Sequence, residues 1–101
     1  MTEPLTLLTF HCSVQDADML SEAIRTVSHG PVHITEKTVR GWDYDDASTA
    51  EQVEGLLRRT ALQVIVPNES VTAVIDTVAQ TKHALPVRWA AVPVLQRGRI
   101  A

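Results

Sequence analysis

A single cysteine, Cys12, stands in 101 residues. No disulfide can form within one chain, and a reducing cytoplasm is the expected setting. Aromatic residues make up 4% of the sequence, so any core must be built mainly from Val, Leu, Ala and Ile. No apolar run approaches the roughly 20 residues that a helical membrane span needs. The N-terminus, Met-Thr-Glu-Pro, lacks the basic and apolar regions of a signal peptide. There is no basic excess either: the net charge is −3 and the cations are scattered, which argues against nucleic acid as a partner. No serine-histidine-acid grouping, phosphate loop or carboxylate pair stands out, so the chain is expected not to be an enzyme.

What is present is ordinary for one small globular domain, residues 1–101, with a 45% apolar share. Pro4 to Cys12 is short and apolar and reads as a central strand, with Leu8, Phe10 and Cys12 on one face and Leu7, Thr9 and His11 on the other. Ser13 to His29 reads as a helix. Ser13 and Asp16 have the spacing of a cap, Leu20, Ala23, Ile24 and Val27 form a stripe, and Gly30-Pro31 stops it through a left-handed glycine. Val32 to Trp42 is a second strand whose polar later half should be exposed or packed on another subunit. Arg59 to Pro67 is a third strand, with Leu62, Val64 and Val66 on one face. Asn68 is placed to cap a helix from Glu69 to Thr81 carrying Val71, Val74, Ile75 and Val78. Val87 to Leu95 is a strand whose Pro86 and Pro93 fit a sheet edge. The order β-α-β-β-α-β predicts an α+β, ferredoxin-like sandwich: a four-stranded antiparallel sheet with two helices on one face.

The stretch between the second and third strands is too long for a hairpin turn. Ser48-Thr49-Ala50-Glu51 matches a capping box, with Ala50, Val53 and Leu57 at helical spacing, which predicts a short helix over about 49–56. Its tip holds Asp43, Asp45 and Asp46. Carboxylates suit hard cations, but this spacing lacks the glycine and distal glutamate of a calcium loop. His29 and His33 flank Gly30-Pro31 and converge only through a particular turn. These five residues are the metal candidates. The arginines offer more. Arg40 and Gly41 precede the long connection, Arg58 and Arg59 follow it, and Arg97 and Arg99 bracket Gly98 after the last strand. A guanidinium fork suits phosphate or carboxylate, and glycine allows close backbone approach.

The segment Gly41…Ser48-Thr49-Ala50-Glu51-Gln52-Val53-Glu54-Gly55…Arg58-Arg59, with Val92-Pro93-Val94-Leu95, Gly98 and Cys12 at the end of the first strand, resembles a small PII-like family. Its members are uncharacterised proteins often encoded beside heavy-metal efflux pumps, distantly similar to nitrogen-regulatory PII and CutA proteins. The resemblance implies a homotrimer of ferredoxin-like subunits. It also implies a small effector, such as an adenine nucleotide or another anion, in clefts between subunits. A T-loop, residues 42–57, would report to a partner protein such as a membrane transporter. Arg40, Gly41, Trp42, Arg58, Arg59, Lys82, His83, Arg97, Gly98 and Arg99 are the ligand-binding candidates on this reading. Lys82-His83-Ala84 replaces the glycine-rich segment of nitrogen-regulatory PII. Two alternatives stand beside it: a CutA-like protein binding a divalent metal in heavy-metal homeostasis, and a small ferredoxin-like enzyme.

Overall fold

The computed structural model describes residues 3–41 and 56–101. In chain order the elements are β1 (Leu5–Cys12), α1 (Ala17–Val27), β2 (His33–Val39), β3 (Leu57–Pro67), α2 (Val71–Gln80) and β4 (Arg88–Val94), with single 3-10 turns at Val14–Asp16 and Asn68–Ser70. The four strands form one sheet in the order β2-β3-β1-β4, every neighbour antiparallel. This is the ferredoxin-like arrangement the sequence predicts. β1 and β3, the two apolar strands, lie inside; the polar β2 and the proline-bearing β4 form the edges. Pro93 pairs with Thr6 on β1, and an edge position is where a strand tolerates a missing N–H.

Alternation gives the sheet two unlike faces. Leu8, Phe10 and Cys12 of β1 join Leu62, Val64 and Val66 of β3 in a closed core with Leu20 and Ile24 of α1 and Val74 and Val78 of α2. Burying side chains of this size stabilises by roughly 1.5–3 kcal/mol each. The buried stripe of α1 is Ala17, Leu20, Ser21 and Ile24. It lies one turn nearer the N-terminus than predicted, and Val27 is exposed. On α2, Val74 and Val78 are buried while Val71 and Ile75 pack at the core's margin. The opposite face carries no helix from the described residues. The register assigns it Leu5, Leu7, Thr9 and His11 of β1, Gln63 and Ile65 of β3, and Ala90, Val92 and Val94 of β4. Gln63 Nε2 donates to Thr9 Oγ1 across this face at 3.2 Å.

Several local expectations are corrected. Helix α1 stops because Ser28 turns extended (φ −128°, ψ 139°), and Ser28 Oγ accepts the Gly30 N–H at 3.3 Å. Gly30 is not left-handed; a Cβ there would sit 3.4 Å from the Ile65 carbonyl oxygen, so the residue is small because the backbone passes close to β3. Asn68 does not cap α2. Its Oδ1 accepts from Thr6 Oγ1 at 2.5 Å and its N–H donates to the Pro4 carbonyl at 3.1 Å, so the sheet takes the side chain that the helix would have used. β3 begins two residues earlier than predicted: Leu57 is a buried strand residue paired with Val39, not a helical one. The predicted helix over 49–56 falls almost wholly outside the described residues.

Candidate functional site

The site is built at one end of the sheet, where β1 and β2 finish and β3 and β4 begin. Arg40 and Gly41 leave β2 there, and Arg58 and Arg59 stand on β3 paired with Thr38 and Lys37. Lys82 and His83 lie in the link between α2 and β4. A cavity of about 490 Å³ opens along the β2–β3 ladder, lined by Val14, Glu36, Lys37, Thr38, Arg58 and Arg59. Arg59 is buried, with 5% of its surface exposed, and its Nη1 donates to the Arg58 carbonyl at 2.7 Å. A buried guanidinium has its charge screened little by solvent, so it acts more strongly on a nearby anion than an exposed one.

The link before β4 is fastened by a carboxylate the sequence shows only as part of a cap. Ser13 Oγ accepts from the Asp16 N–H at 3.3 Å and donates to Asp16 Oδ2 at 2.7 Å. Asp16 then reaches across the chain: its oxygens accept the Ala84 N–H at 2.9 and 3.0 Å and the Leu85 N–H at 3.3 Å. Burial pushes the Asp16 carboxyl up. The hydrogen bonds from Ala84, Ser13 and Leu85 and the charge of His83 outweigh it, and hold the group below its usual 3.8. His83 itself is tied down, its Nδ1 donating to the Thr81 carbonyl at 2.6 Å, which leaves Nε2 as its second ring nitrogen.

Cys12 sits at the same end but inside the core, its Sγ donating to the Thr60 carbonyl at 3.6 Å. Burial, then the Asp16 charge, pushes its thiol up to about 11. A thiol so far from ionising is a poor nucleophile and a poor metal ligand. His11 faces the other way. Burial and the nearby Lys37 push it below its usual 6.5.

The remaining predicted residues are elsewhere. Arg97, Gly98 and Arg99 follow β4 at the far end of the sheet, separated from Arg58 and Arg59 by the length of β4, about 23 Å for a strand of this size. Arg97 borders a separate cavity of about 320 Å³ with Glu3, Ser28, His29 and Gly30. One chain therefore does not bring the two arginine groups together. At Gly41 and Gly98 a Cβ would meet nothing within 4 Å, so the chain's own packing does not demand glycine at either. His33 is exposed on β2 and does not line the cavity that His29 borders. Trp42, Asp43, Asp45 and Asp46 lie outside the described residues. Among the described residues no group of three or more His, Cys, Asp or Glu side chains could hold a metal. Lys37 was not visible as a candidate from the sequence; only the strand register sets it beside Arg59.

Two interior strands between polar edges, two helices on one face and a long β2–β3 connection define the PII class of fold. The Arabidopsis thaliana PII protein bound to citrate superimposes with a TM-score of 0.60 at 17% identity, over 91% of this chain and 78% of that one. The chain belongs to the DUF3240 family, proteins of unknown function, whose family model matches residues 6–101. A DUF3240 protein from Shewanella baltica OS155 superimposes with a TM-score of 0.74 at 13% identity, each chain fully covered. A Bacillus cereus protein related to NIF3 does so with a TM-score of 0.71 at 14% identity over 98% of this chain; the chain spans only 27% of that protein's length. No curated protein matches the sequence. Among the described residues, no helix is long and apolar enough to cross a membrane.

Proposed function

We propose that this chain is a non-enzymatic PII-like regulatory protein. It assembles as a homotrimer and binds a small anionic effector at the loop end of the sheet, and the β2–β3 connection reports the bound state to a partner protein. The observation that carries the reading is the cavity bordered by Lys37, Arg58 and Arg59 at the root of that connection, on a fold shared with a PII protein bound to citrate. Assembly is supported by the open sheet face. Leu5, Leu7, Ile65, Val92 and Val94 form an apolar surface that no described helix covers, and Val92 is 49% exposed. A patch of this kind favours association with a second copy. Leu95 and Ile100 on the tail are exposed, and a neighbouring subunit gives them a place to pack. A neighbour also supplies the one route by which Arg97 and Arg99 meet Arg58 and Arg59.

The effector works by differential affinity: a ligand that contacts one conformation of the connection shifts the population toward it. Light scattering gives the assembly, and calorimetry with ATP, ADP, AMP, bicarbonate and citrate gives the effector. Saturable heat that Arg58→Ala removes supports the reading. A monomer that binds none of the five ends it.

A further inference from the structure

We propose that the gap between α2 and β4, on the helix side of the sheet, binds a small aromatic molecule carrying one O–H or N–H donor, such as a phenol. The site shares no residue with the cavity along the β2–β3 ladder. It depends on neither the anionic effector nor the trimer.

A cavity of about 220 Å³ lies in that gap. Trp89 stands opposite Phe10 across the β1–β4 ladder, so alternation turns both rings toward the helices. Phe10 is enclosed in the core, yet Trp89 keeps 51% of its surface exposed. Helix α2 meets the gap with Val78 and Ala79, and the single methyl of the exposed Ala79 leaves the space open. His83 and Val87, from the link between α2 and β4, complete the lining. That link is held in place. Between these two residues the Ala84 and Leu85 N–H groups both donate to the Asp16 carboxylate. A pocket fixed before its ligand arrives loses little freedom on binding.

Size and chemistry select the ligand. Apolar cavities of about 150 Å³ accept one benzene ring, whereas pockets for drug-sized ligands run to roughly 300–1,000 Å³. The volume here therefore suits one substituted ring or two fused ones. The lining is aliphatic and aromatic, with the His83 imidazole and the Trp89 indole N–H as its polar side-chain groups. His83 Nδ1 donates to the Thr81 carbonyl, so in the neutral ring Nε2 is left as an acceptor. That nitrogen takes the ligand's O–H or N–H and fixes the ring's orientation. The Trp89 indole supplies an aromatic surface for ring packing. Water is a poor occupant of such a lining, because a well-ordered buried water makes about three hydrogen bonds. An apolar group that displaces loosely held water gains affinity.

The test is an NMR titration of the isotope-labelled full chain with phenol and, separately, with toluene. Phenol should bind with a Kd of about 1 mM, and the saturable shifts should map to Ala79, His83, Val87 and the Trp89 indole. Ala79→Phe fills the gap from an exposed helix position. It should weaken both ligands by at least about tenfold with the melting temperature unchanged. His83→Leu should weaken phenol by about three- to tenfold and not weaken toluene, a split that a general loosening of the link would not give. The proposal is overturned if the phenol shifts do not saturate, or if they map instead to Leu5, Leu7, Ile65 and Val92 on the open face. It is equally overturned if Ala79→Phe binds as wild type, or if His83→Leu weakens the two ligands alike. Each of these results leaves the anionic-effector reading standing, since that reading is tested with other ligands and with Arg58→Ala.

Discussion

On the helix-covered side of β1, Leu8, Phe10 and Cys12 are closed off from solvent; one residue along in each case, Leu7, Thr9 and His11 stay partly open. The same strand thus contributes a core to one face and a surface to the other. The covered face is aliphatic and has satisfied its contacts within the chain. The open face is divided, apolar toward the start of β1 and cationic toward its end, and no described helix lies over either half. The difference teaches that one ladder can carry a closed core on one face and an open surface on the other, separated by a single step in the alternation. Substitutions on the two sides should therefore fail in different ways.

The sharpest break is Phe10→Ala. It opens a cavity under both helices and should cost about 3–5 kcal/mol in chemical denaturation. Next is Asp16→Ala, which leaves the Ala84 and Leu85 N–H groups and the Ser13 hydroxyl without their acceptor. It should cost about 1–3 kcal/mol and speed hydrogen exchange at Ala84 and Leu85. The wild-type contribution should be present above pH 3.8 and lost as the pH falls through the lowered value, because the unfolded chain then binds the proton more readily. Leu7→Ala on the open face should change the unfolding of an isolated subunit by less than about 1 kcal/mol. Val92→Glu should lower the mass seen by light scattering while leaving far-UV circular dichroism intact. If Leu7→Ala cost as much as Phe10→Ala in a dilute monomer, the two faces would not be distinct. The smallest effect belongs to His11. Its lowered pKa means that the unfolded chain protonates first, so stability should decline as the pH drops below 6.5 and be unaffected by further rise above it. His11→Gln should flatten that segment of the profile.

Much of the covered face was legible in the sequence because hydrophobic periodicity is set by the core. The alternation of Leu8, Phe10 and Cys12 and of Leu62, Val64 and Val66, together with Pro93, placed two strands inside and one at an edge. The errors were local competitions for polar side chains and backbone space. Asn68 serves β1 rather than α2, and Gly30 answers to the approach of Ile65 rather than to a left-handed turn. The site was less legible for a different reason. Arg58 and Arg59 could be picked out as a pair, but Lys37 acquires meaning only from the register that sets it opposite Arg59. Asp16 could be read as a cap; nothing in the sequence around it pointed to Ala84. Contacts between residues far apart in the chain carry no local pattern.

The lone sulfur at the end of β1 has a practical use. Cys12 is fully enclosed and is the chain's one thiol, so an alkylating reagent can reach it only when β1 parts from β3 and the helices above. Its labelling rate, followed against reagent concentration, is a clock for the opening of the core. An effector bound at the neighbouring loop end should slow that clock by the factor with which it favours the closed chain.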